Sequence, residues 1–262
     1  MDKIKILITG GNGYIAKSIY NAFKDKYDTI SITRQDFDLT DSFQTKKYFS
    51  NKYFDVVIHC AVSGGSRLKE DTIGDMDNNL QMYYNLLNCK DRFGKLIHFG
   101  SGAEITQPEA PYGLSKRIIS KSISEQENFY NIRIFAVFDE NELQTRFIKN
   151  NINNYINHKP IIIHQDRYMD LFYMEDLIKV IKHFLNNPNI VYKDINMSYM
   201  KKYKLSDVAN IINELSSYKT DIIVENKSLG FNYTGNGSKL NSLNLNLKGI
   251  ELGIKECYSK IV

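Results

Sequence analysis

Short apolar runs alternate with longer amphipathic stretches over the first two thirds of the chain. The runs are almost continuously apolar, which is typical of parallel strands covered on both faces. They predict strands at Ile4–Thr9, Thr29–Thr33, Val56–Ala61, Leu96–Gly100 and Ile132–Phe138. The stretches between them predict helices at Tyr14–Lys24, Ser42–Asn51, Asp75–Cys89 and Tyr112–Asn128. This alternation predicts an α/β fold with a doubly wound parallel sheet and right-handed crossovers.

The pattern loosens after about Asn141. It predicts, in chain order, a helix at Glu142–Ile156, an apolar run at Pro160–His164, a helix after Asp176, a strand near Val191–Asn196 and a helix at Leu205–Ser216. The last part, Gly230–Tyr258, is rich in Asn, Gly and Leu. We therefore predict a main domain over residues 1–140 and a small C-terminal α/β lobe over residues 141–262, with segments interleaved with the main sheet.

Composition narrows the class of protein. The chain has 262 residues, of which 42% are apolar and 24% charged, as in an ordinary soluble enzyme. The net charge of +4 comes from scattered lysines, so no nucleic-acid partner is expected. No run of 18 apolar residues occurs, so no membrane span is expected, and the cytoplasm is the expected location. Cys60, Cys89 and Cys257 lie far apart without metal-ligand spacing, so no metal is expected.

A glycine-rich loop connects the first predicted strand to the first predicted helix. Gly10 permits a tight turn, Gly13 lets a pyrophosphate approach the backbone at the helix start, and Ala16 lets the helix pack closely on the strand. Because the loop lies between a strand and a helix, it predicts a dinucleotide site, with a purely structural turn as the alternative. The predicted contacts from this loop are Gly10, Gly11, Asn12, Gly13, Tyr14 and Ile15.

The end of the second strand indicates which dinucleotide binds. An Asp or Glu there would bind a ribose hydroxyl and favour NAD, but the chain has Thr33 and then Arg34. A guanidinium can pair with a 2′-phosphate through two parallel hydrogen bonds. We therefore predict NADP(H) rather than NAD, the alternative being that Arg34 is a solvated surface charge.

Tyr112 and Lys116 stand one helical turn apart after Pro111, so they share one face of a helix. A nearby ammonium favours the phenolate and makes a tyrosine a better proton donor or acceptor. Ser101 ends the fourth strand at the edge where ligands bind in such sheets. These residues predict proton or hydride chemistry. The alternatives are a surface helix start for the pair and a turn serine for Ser101.

Five segments together resemble the extended short-chain dehydrogenase/reductase family, in its nucleotide-sugar branch. They are the Thr9–Ala16 loop, Asn79 with Asn85-Leu86-Leu87, the strand-end serine segment His98–Glu104, Pro111–Lys116 and Phe172–Leu177. Two further stretches, Arg34–Asp41 and Ala61–Gly65, look most like the 4-keto-sugar epimerase/reductases of the GDP-fucose synthase type. The resemblance covers essentially the whole chain and implies a Rossmann-type fold and a homodimer.

The resemblance also implies roles for individual residues. Tyr112 would donate a proton to the C4 oxygen of a nucleotide-linked keto sugar, together with Lys116 and Ser101, while NADPH delivers hydride to C4. Further cofactor contacts would come from Asp38, Leu39, Cys60, Ala61, Val62, Tyr112 and Lys116. The nucleotide-sugar substrate would meet Ser63, Gly64, Gly65, Ser101, Gly102 and Arg167.

The chain also departs from the family pattern. Dehydratases carry Thr-Asp-Glu at the strand end, where this chain keeps only Glu104, which argues against a dehydratase. The cysteine that acts as acid and base during epimerisation in the GDP-fucose synthases falls near Ala103 in this chain. Glu104 is therefore the candidate for a catalytic carboxylate, and the alternative is that it is a surface carboxylate in a turn. Met169 replaces a usual arginine, and Arg167 lies two residues earlier.

Only residues 102–111 separate Ser101 from Tyr112, a shorter connection than is usual in the family. The favoured function is an NADP(H)-dependent reductase of a nucleotide-linked 4-keto(-6-deoxy) sugar. An epimerase with tightly bound NAD and a non-catalytic dinucleotide-binding protein are the alternatives.

Overall fold

A computed structural model describes residues 3–66, 69–188 and 190–262. Strands and helices alternate over the first half of the chain, as predicted. The strands are β1 (Lys5–Thr9), β2 (Asp28–Ile32), β3 (Phe54–His59), β4 (Phe93–Ser101) and β5 (Phe129–Ile134). The helices are α1 (Tyr14–Phe23), α2 (Ser42–Phe49), α3 (Ile73–Leu87), α4 (Ala103–Thr106) and α5 (Pro111–Ser124), with a 3-10 turn at Lys90–Arg92 before β4.

The second half mixes short strands and helices. Its strands are β6 (Val137–Phe138), β7 (Ile161–Gln165), β8 (Phe172–Tyr173), β9 (Asp194–Met197) and β10 (Ile222–Asn226). Its helices are α6 (Phe147–Ile156), α7 (Met174–Asn186), α8 (Leu205–Asn213), α9 (Ser238–Asn241) and α10 (Gly249–Ile261). The strands β7 and β10 form one parallel pair, and β6 and β8 form another.

The main sheet has the strand order β2-β1-β3-β4-β5-β9. Within it, β2, β1, β3 and β4 pair in parallel, with Thr9 opposite His59 and His59 opposite His98. The carboxyl ends of these strands therefore meet at one edge, where ligands bind in doubly wound sheets. The predicted Rossmann-type fold is confirmed.

Both faces of this sheet are covered. On β1, Leu7 belongs to an apolar cluster with Tyr83 and Leu86 of α3. Its neighbours Ile6 and Ile8 point to the opposite face and are also fully buried. This two-sided burial explains why the strands appear as continuous apolar runs rather than as alternating ones.

Some predicted elements differ from the observed ones. The predicted strand Ile132–Phe138 is two strands, because the chain leaves the main sheet after β5 and pairs with β8 through β6. An apolar run cannot show a change of sheet, since both sheets bury such residues. The helix predicted from Glu142 begins at Phe147, after turns closed by Glu142 N–H to Asp139 O and by Arg146 N–H to Leu143 O.

The chain forms two compact units. One contains Met1–Arg133 and His183–Ile195, and the other contains Ile134–Lys182 and Asn196–Val262. The predicted boundary lay at residue 140, with interleaved segments. The second unit has its own core, which includes Ile152 of α6 and Ile163 of β7. No helix in the described part of the chain combines the length and apolarity that a bilayer crossing requires.

Candidate active site and dinucleotide cleft

The glycine loop makes a tight turn at the end of β1. Gly10 has a φ of +70°, a conformation that favours glycine. The Gly13 N–H donates to Gly10 O at 2.8 Å, and the Gly11 N–H donates to Ile32 O on β2 at 2.8 Å. A Cβ on Gly11 would lie 2.5 Å from Ser31 Oγ. The loop is therefore packed backbone to backbone, and α1 begins directly after it.

Gly13 precedes α1 and provides no capping side chain. The first turn of a helix presents N–H groups and the positive end of the helix dipole, which suits an anionic ligand. Tyr14 and Ile15 occupy this first turn and are half-buried, and Ala16 is fully buried against the sheet. The local structure thus has the features that a pyrophosphate site requires.

A cleft of about 280 Å³ opens beside this loop in the first unit. Nine of the predicted cofactor residues line it: Gly10, Asn12, Gly13, Arg34, Asp38, Leu39, Cys60, Ala61 and Val62. Sequence reasoning missed Ile32, Thr33, Phe37 and Met82, which also line it. Ile32 and Thr33 follow from their place at the end of β2, whereas Phe37 and Met82 carry no signal beyond being apolar. Gly11 lies against β2 and is not part of the wall.

Arg34 is the most exposed charge at the mouth of this cleft, with 73% of its side chain accessible. Its Nε lies 3.9 Å from the Asp38 carboxylate, a weak and solvated ion pair. The nearby Asp36 carboxylate instead accepts from Thr33 N–H at 2.8 Å and from the Thr33 hydroxyl at 3.1 Å. The guanidinium is therefore accessible to a phosphate group in the cleft.

Polar contacts hold the strand ends that form the floor of the site. The Thr9 hydroxyl lies 2.8 Å from His59 Nδ1 and accepts a hydrogen bond from Ala61 N–H at 3.2 Å. Burial, with a smaller contribution from Lys116, lowers the pKa of His59 to about 3. His59 is thus a neutral hydrogen-bonding residue that ties β1 to β3.

The predicted substrate loop after β3 is tied to α3. Asn79 is buried, accepts from Ser63 N–H at 2.8 Å and donates to Ser63 O at 2.9 Å. The Ser63 hydroxyl donates to Asp75 at 2.6 Å. Gly64 and Gly65 then adopt φ values of +78° and +72°. These contacts bring the end of the loop onto the predicted catalytic tyrosine.

Gly65 lies directly against Tyr112. A Cβ on Gly65 would lie 2.7 Å from Tyr112 Cζ and 3.1 Å from its hydroxyl. Pro111 starts α5, where a missing N–H costs nothing, and places Tyr112 in the first turn. Tyr112 is half-buried, with its phenol end beside the 63–65 loop.

Lys116 lies one turn further along α5, with its ammonium 5.8 Å from the centre of the Tyr112 ring. It is only 4% exposed, and its Nζ donates to Phe99 O on β4 at 2.8 Å. Burial lowers the pKa of Lys116 to about 8, while Glu104 acts in the opposite direction. A buried ammonium of this kind stabilises a phenolate or acts in proton transfer.

Ser101 is the last residue of β4 and is buried, and its Oγ accepts from Ala103 N–H at 3.2 Å. The short connection to Tyr112 contains α4, which packs on α5. Gly113 makes this approach possible, because a Cβ there would lie 2.7 Å from Ala103 O. Gly102 is buried, and its carbonyl accepts the N–H groups of Ile105 and Thr106.

Glu104 was predicted as a catalytic carboxylate, with a surface turn as the alternative. It is instead buried, 6% exposed, and paired with Arg133, whose Nη2 lies 2.7 Å from Oε2. The Ser101 N–H donates to its Oε1 at 2.8 Å. Since internal donors occupy both oxygens, this geometry does not favour a direct role on substrate.

Arg167 lies in the second unit. Its carbonyl accepts from Leu205 N–H at 3.0 Å, and its side chain passes Gly230, where a Cβ would lie 3.3 Å from Nε. The buried Nε has no hydrogen-bond partner among the described residues. A guanidinium with an unsatisfied N–H is suited to binding an anion.

The sequence profile of the NAD dependent epimerase/dehydratase family matches residues 6–198. No curated protein sequence matches the chain at a significant level. Among solved structures, a GDP-mannoheptose C4 reductase from Campylobacter jejuni with NADP bound has a TM-score of 0.82 at 16% identity, covering 100% of this chain and 99% of that one.

Two other solved structures illustrate the range of this likeness. A UDP-glucose 4-epimerase from Thermotoga maritima with UDP-glucose has a TM-score of 0.80 at 15% identity, covering 98% of each chain. A GDP-L-fucose synthetase from Naegleria fowleri bound to NADP has a TM-score of 0.74 at 18% identity, covering 99% of this chain and 92% of that one. At these identities the likeness establishes the fold.

Proposed function

Because this chain belongs to the NAD dependent epimerase/dehydratase family, as its sequence motifs predicted, we propose that it reduces a nucleotide-linked 4-keto sugar with NADPH. It is an enzyme of the NAD(P)-dependent short-chain dehydrogenase/reductase type. The observation that carries the proposal is the pair formed by half-buried Tyr112 and buried Lys116, in the same unit as a dinucleotide cleft with an accessible Arg34.

The cleft residues fit a phosphorylated dinucleotide. We assign the pyrophosphate to the Gly10–Gly13 turn and the start of α1, and a 2′-phosphate to Arg34. Leu39, Ala61 and Val62 would contact the adenosine half through apolar surface. The NADP bound in the C4 reductase and in the fucose synthetase supports the choice of NADP(H).

In this proposal Tyr112 donates its phenolic proton to the C4 oxygen. The dinucleotide, when bound, supplies hydride to the C4 carbon, so the C=O bond becomes a CH–OH group and the dinucleotide leaves oxidised. Lys116 stabilises the phenolate that remains on Tyr112, because an adjacent positive charge favours the ionised form. Ser101 donates its hydroxyl hydrogen to the same substrate oxygen and orients it.

Several of the residues that the sequence predicts at the substrate would bind or accommodate it. Gly65 provides space beside the Tyr112 hydroxyl, and Ser63 and Gly64 hold that loop in place. Arg167, which the resemblance assigns to the substrate, remains a predicted contact. The proposed substrate class is a nucleoside-diphosphate 4-keto sugar, without a particular base or sugar.

The test is turnover by the purified protein with NADPH and 4-keto-6-deoxy sugars linked to GDP or dTDP. We expect loss of NADPH absorbance and a C4-reduced sugar, and Tyr112→Phe should abolish both while leaving NADPH binding intact. If the wild type oxidises no NADPH while a known reductase consumes the same substrates, the proposal is wrong. Stoichiometric NAD released on denaturation would then favour the epimerase alternative. Turnover undiminished in Tyr112→Phe would remove the phenol from the mechanism.

A further inference from the structure

Glu104 takes part in a buried network directly behind the predicted catalytic serine. Its Oε2 accepts hydrogen bonds from Arg133 Nε at 2.9 Å and Nη2 at 2.7 Å, and its Oε1 accepts the Ser101 N–H at 2.8 Å. The Asn131 amide lies further away, at 3.4 Å from Oε2. A buried carboxylate that accepts hydrogen bonds on both oxygens fixes the position of its donors, and its charge affects the ionisation of neighbouring groups.

The network reaches across three strands. Arg133 on β5 also pairs with Asp194 on β9, at 2.8 Å from Nη2 to Oδ1 and 3.0 Å from Nη1 to Oδ2. One guanidinium thus faces two carboxylates, and the three groups carry a net negative charge. Since Asp194 is 40% exposed at its side chain whereas Glu104 is 3% exposed, the Glu104 charge is the less screened of the two.

Glu104 also fits the backbone of β4 closely. It lies over Gly100, where any Cβ would collide with Oε1. The absence of a side chain at Gly100 lets the carboxylate reach the Ser101 N–H. A larger residue there would push the carboxylate away from the end of the strand.

Glu104 and Lys116 bind consecutive peptide groups. Lys116 donates to the carbonyl of the peptide that joins Phe99 to Gly100. Glu104 accepts from the N–H of the next peptide, which joins Gly100 to Ser101. An ammonium and a carboxylate are therefore bound one peptide unit apart at the end of β4, in a region excluded from water.

We propose that Glu104 is a positioning residue that holds Ser101 at the end of β4 and provides the buried negative charge that keeps the Lys116 ammonium charged. This inference rests on the proposed reduction. The other groups facing Lys116 are Tyr112 on its own helix, Cys60 and His59 at the end of β3, and His98 on β4.

These other groups leave Glu104 as the main negative charge acting on Lys116. Burial lowers the pKa of His59 and of His98, so both rings are neutral near pH 7. Burial also raises the pKa of the Cys60 thiol, which is therefore uncharged. Burial raises the pKa of Glu104 too, but the Arg133 guanidinium opposes this effect and favours its carboxylate form.

The experiment replaces Glu104 by the neutral isostere, Glu104→Gln. We expect kcat to fall about tenfold with little change in KM, because the loss falls on the transition state. The alkaline limb of the pH–kcat profile should move down by about one pH unit, since the Lys116 ammonium loses its buried counter-charge. NADPH affinity should be unchanged, which also shows that the variant is folded.

The matched control is Glu109→Gln, the same substitution in the connection between Ser101 and Tyr112. Glu109 is 84% exposed at its side chain and pairs with Arg117 on the surface. We expect wild-type kinetics from it. In Glu104→Gln the Arg133 guanidinium keeps its ion pair with Asp194, so we expect the variant to fold. If it does not, Glu104→Gln combined with Arg133→Gln and Asp194→Asn gives an uncharged network and should show the same shift.

A second readout needs no substrate. Nuclear magnetic resonance of isotope-labelled lysine side chains follows the Lys116 titration directly, and its midpoint should fall in Glu104→Gln but not in Glu109→Gln. An unchanged midpoint in a folded Glu104→Gln variant overturns the inference. If the wild type reduces no keto sugar but the midpoint still falls, the proposed function fails while the role of Glu104 towards Lys116 stands.

Discussion

Gly10 and Ala61 are in backbone contact: a Cβ on Gly10 would lie 2.7 Å from both N and Cα of Ala61. The turn after β1 therefore passes over the end of β3 without any side chain between them. The Thr9 hydroxyl bonds to Ala61 N–H and reinforces the same contact. This approach forms one wall of the cleft, and it leaves no space for a side chain at Gly10.

Gly10→Ala should destabilise the chain and weaken NADPH binding. The new methyl group would collide with the Ala61 backbone, and the residue would keep a φ of +70°, so we expect a loss of about 2–4 kcal/mol in the free energy of unfolding. Urea unfolding and NADPH titration measure the two effects. The control is Gly74→Ala in α3, where the nearest atom lies 3.6 Å away. Its stability should stay the same or rise by up to about 1 kcal/mol, and equal effects in both variants would contradict the prediction.

Arg34→Gln should change the choice of cofactor. It removes an accessible guanidinium that makes only a weak pair with Asp38. We expect NADPH affinity to fall about tenfold, or about 1.4 kcal/mol, with NADH affinity unchanged. Fluorescence titration of both dinucleotides gives the two dissociation constants. Arg117→Gln, on the exposed face of α5, is the control and should alter neither constant. A parallel loss for NADH would show that Arg34 does not contact the 2′-phosphate.

His98 should make the protein less stable in mild acid. Its ring is fully buried, 5.3 Å from that of His59, and its two nitrogens have no hydrogen-bond partner among the described residues. Burial lowers the pKa of His98, whereas in the unfolded chain it titrates near 6.5. The unfolded state therefore binds more protons below about pH 6.5, and stability falls as the pH drops through that value.

The measurement is the free energy of unfolding in urea between about pH 8 and about pH 5. Each of the two buried histidines should contribute a loss of about 2 kcal/mol over this range. Relative to the wild type, His98→Leu should remove about 2 kcal/mol of this pH dependence, while His164→Gln, which changes an exposed histidine, should leave it unchanged. An identical pH slope in His98→Leu and the wild type would disprove this account.

Glu142 should have the opposite pH dependence. It is 5% exposed, and burial raises its pKa to about 7, although Lys149 N–H donates to its Oε1 at 3.0 Å. The folded state thus holds a proton that the unfolded chain releases near pH 4.5. Stability contributed by this group is present below about pH 4.5 and is lost as the pH rises through about 7.

Glu142→Gln keeps the neutral form at every pH. We expect it to be more stable than the wild type by about 2–3 kcal/mol at about pH 8, with the difference shrinking towards about pH 5. Glu214→Gln, at an exposed side chain, is the control for the substitution. Thermal unfolding at the two pH values tests the prediction, and a difference independent of pH would show that Glu142 is ionised throughout.

The site shows where local sequence is sufficient. Gly10, Gly13 and Ala16 act within one strand–turn–helix unit, so their spacing alone indicates the turn. Tyr112 and Lys116 share a helix face because four residues make about one turn. Arg34 is the second residue after β2 ends. Each of these features depends on neighbours within a few residues, which is why sequence analysis identified nine of the residues that line the cleft and the shared helix of Tyr112 and Lys116.

Glu104 shows where local sequence fails. Its chemistry depends on Arg133 and Asp194, which join it only because β4, β5 and β9 are neighbours in the sheet. A carboxylate in a short connection has the same sequence signature whether it is exposed or buried. The same reason explains why Phe37 and Met82 were not recognised as cleft residues.

The sequence by itself determined the fold class, the glycine turn after β1 and the spacing of Tyr112 and Lys116, because periodicity and helix geometry are local properties. The tertiary structure decided where the apolar run Ile132–Phe138 divides and which partner neutralises Glu104. It also decided that Gly65 contacts the tyrosine. These outcomes depend on strand order and burial, which arise from contacts between residues far apart along the chain.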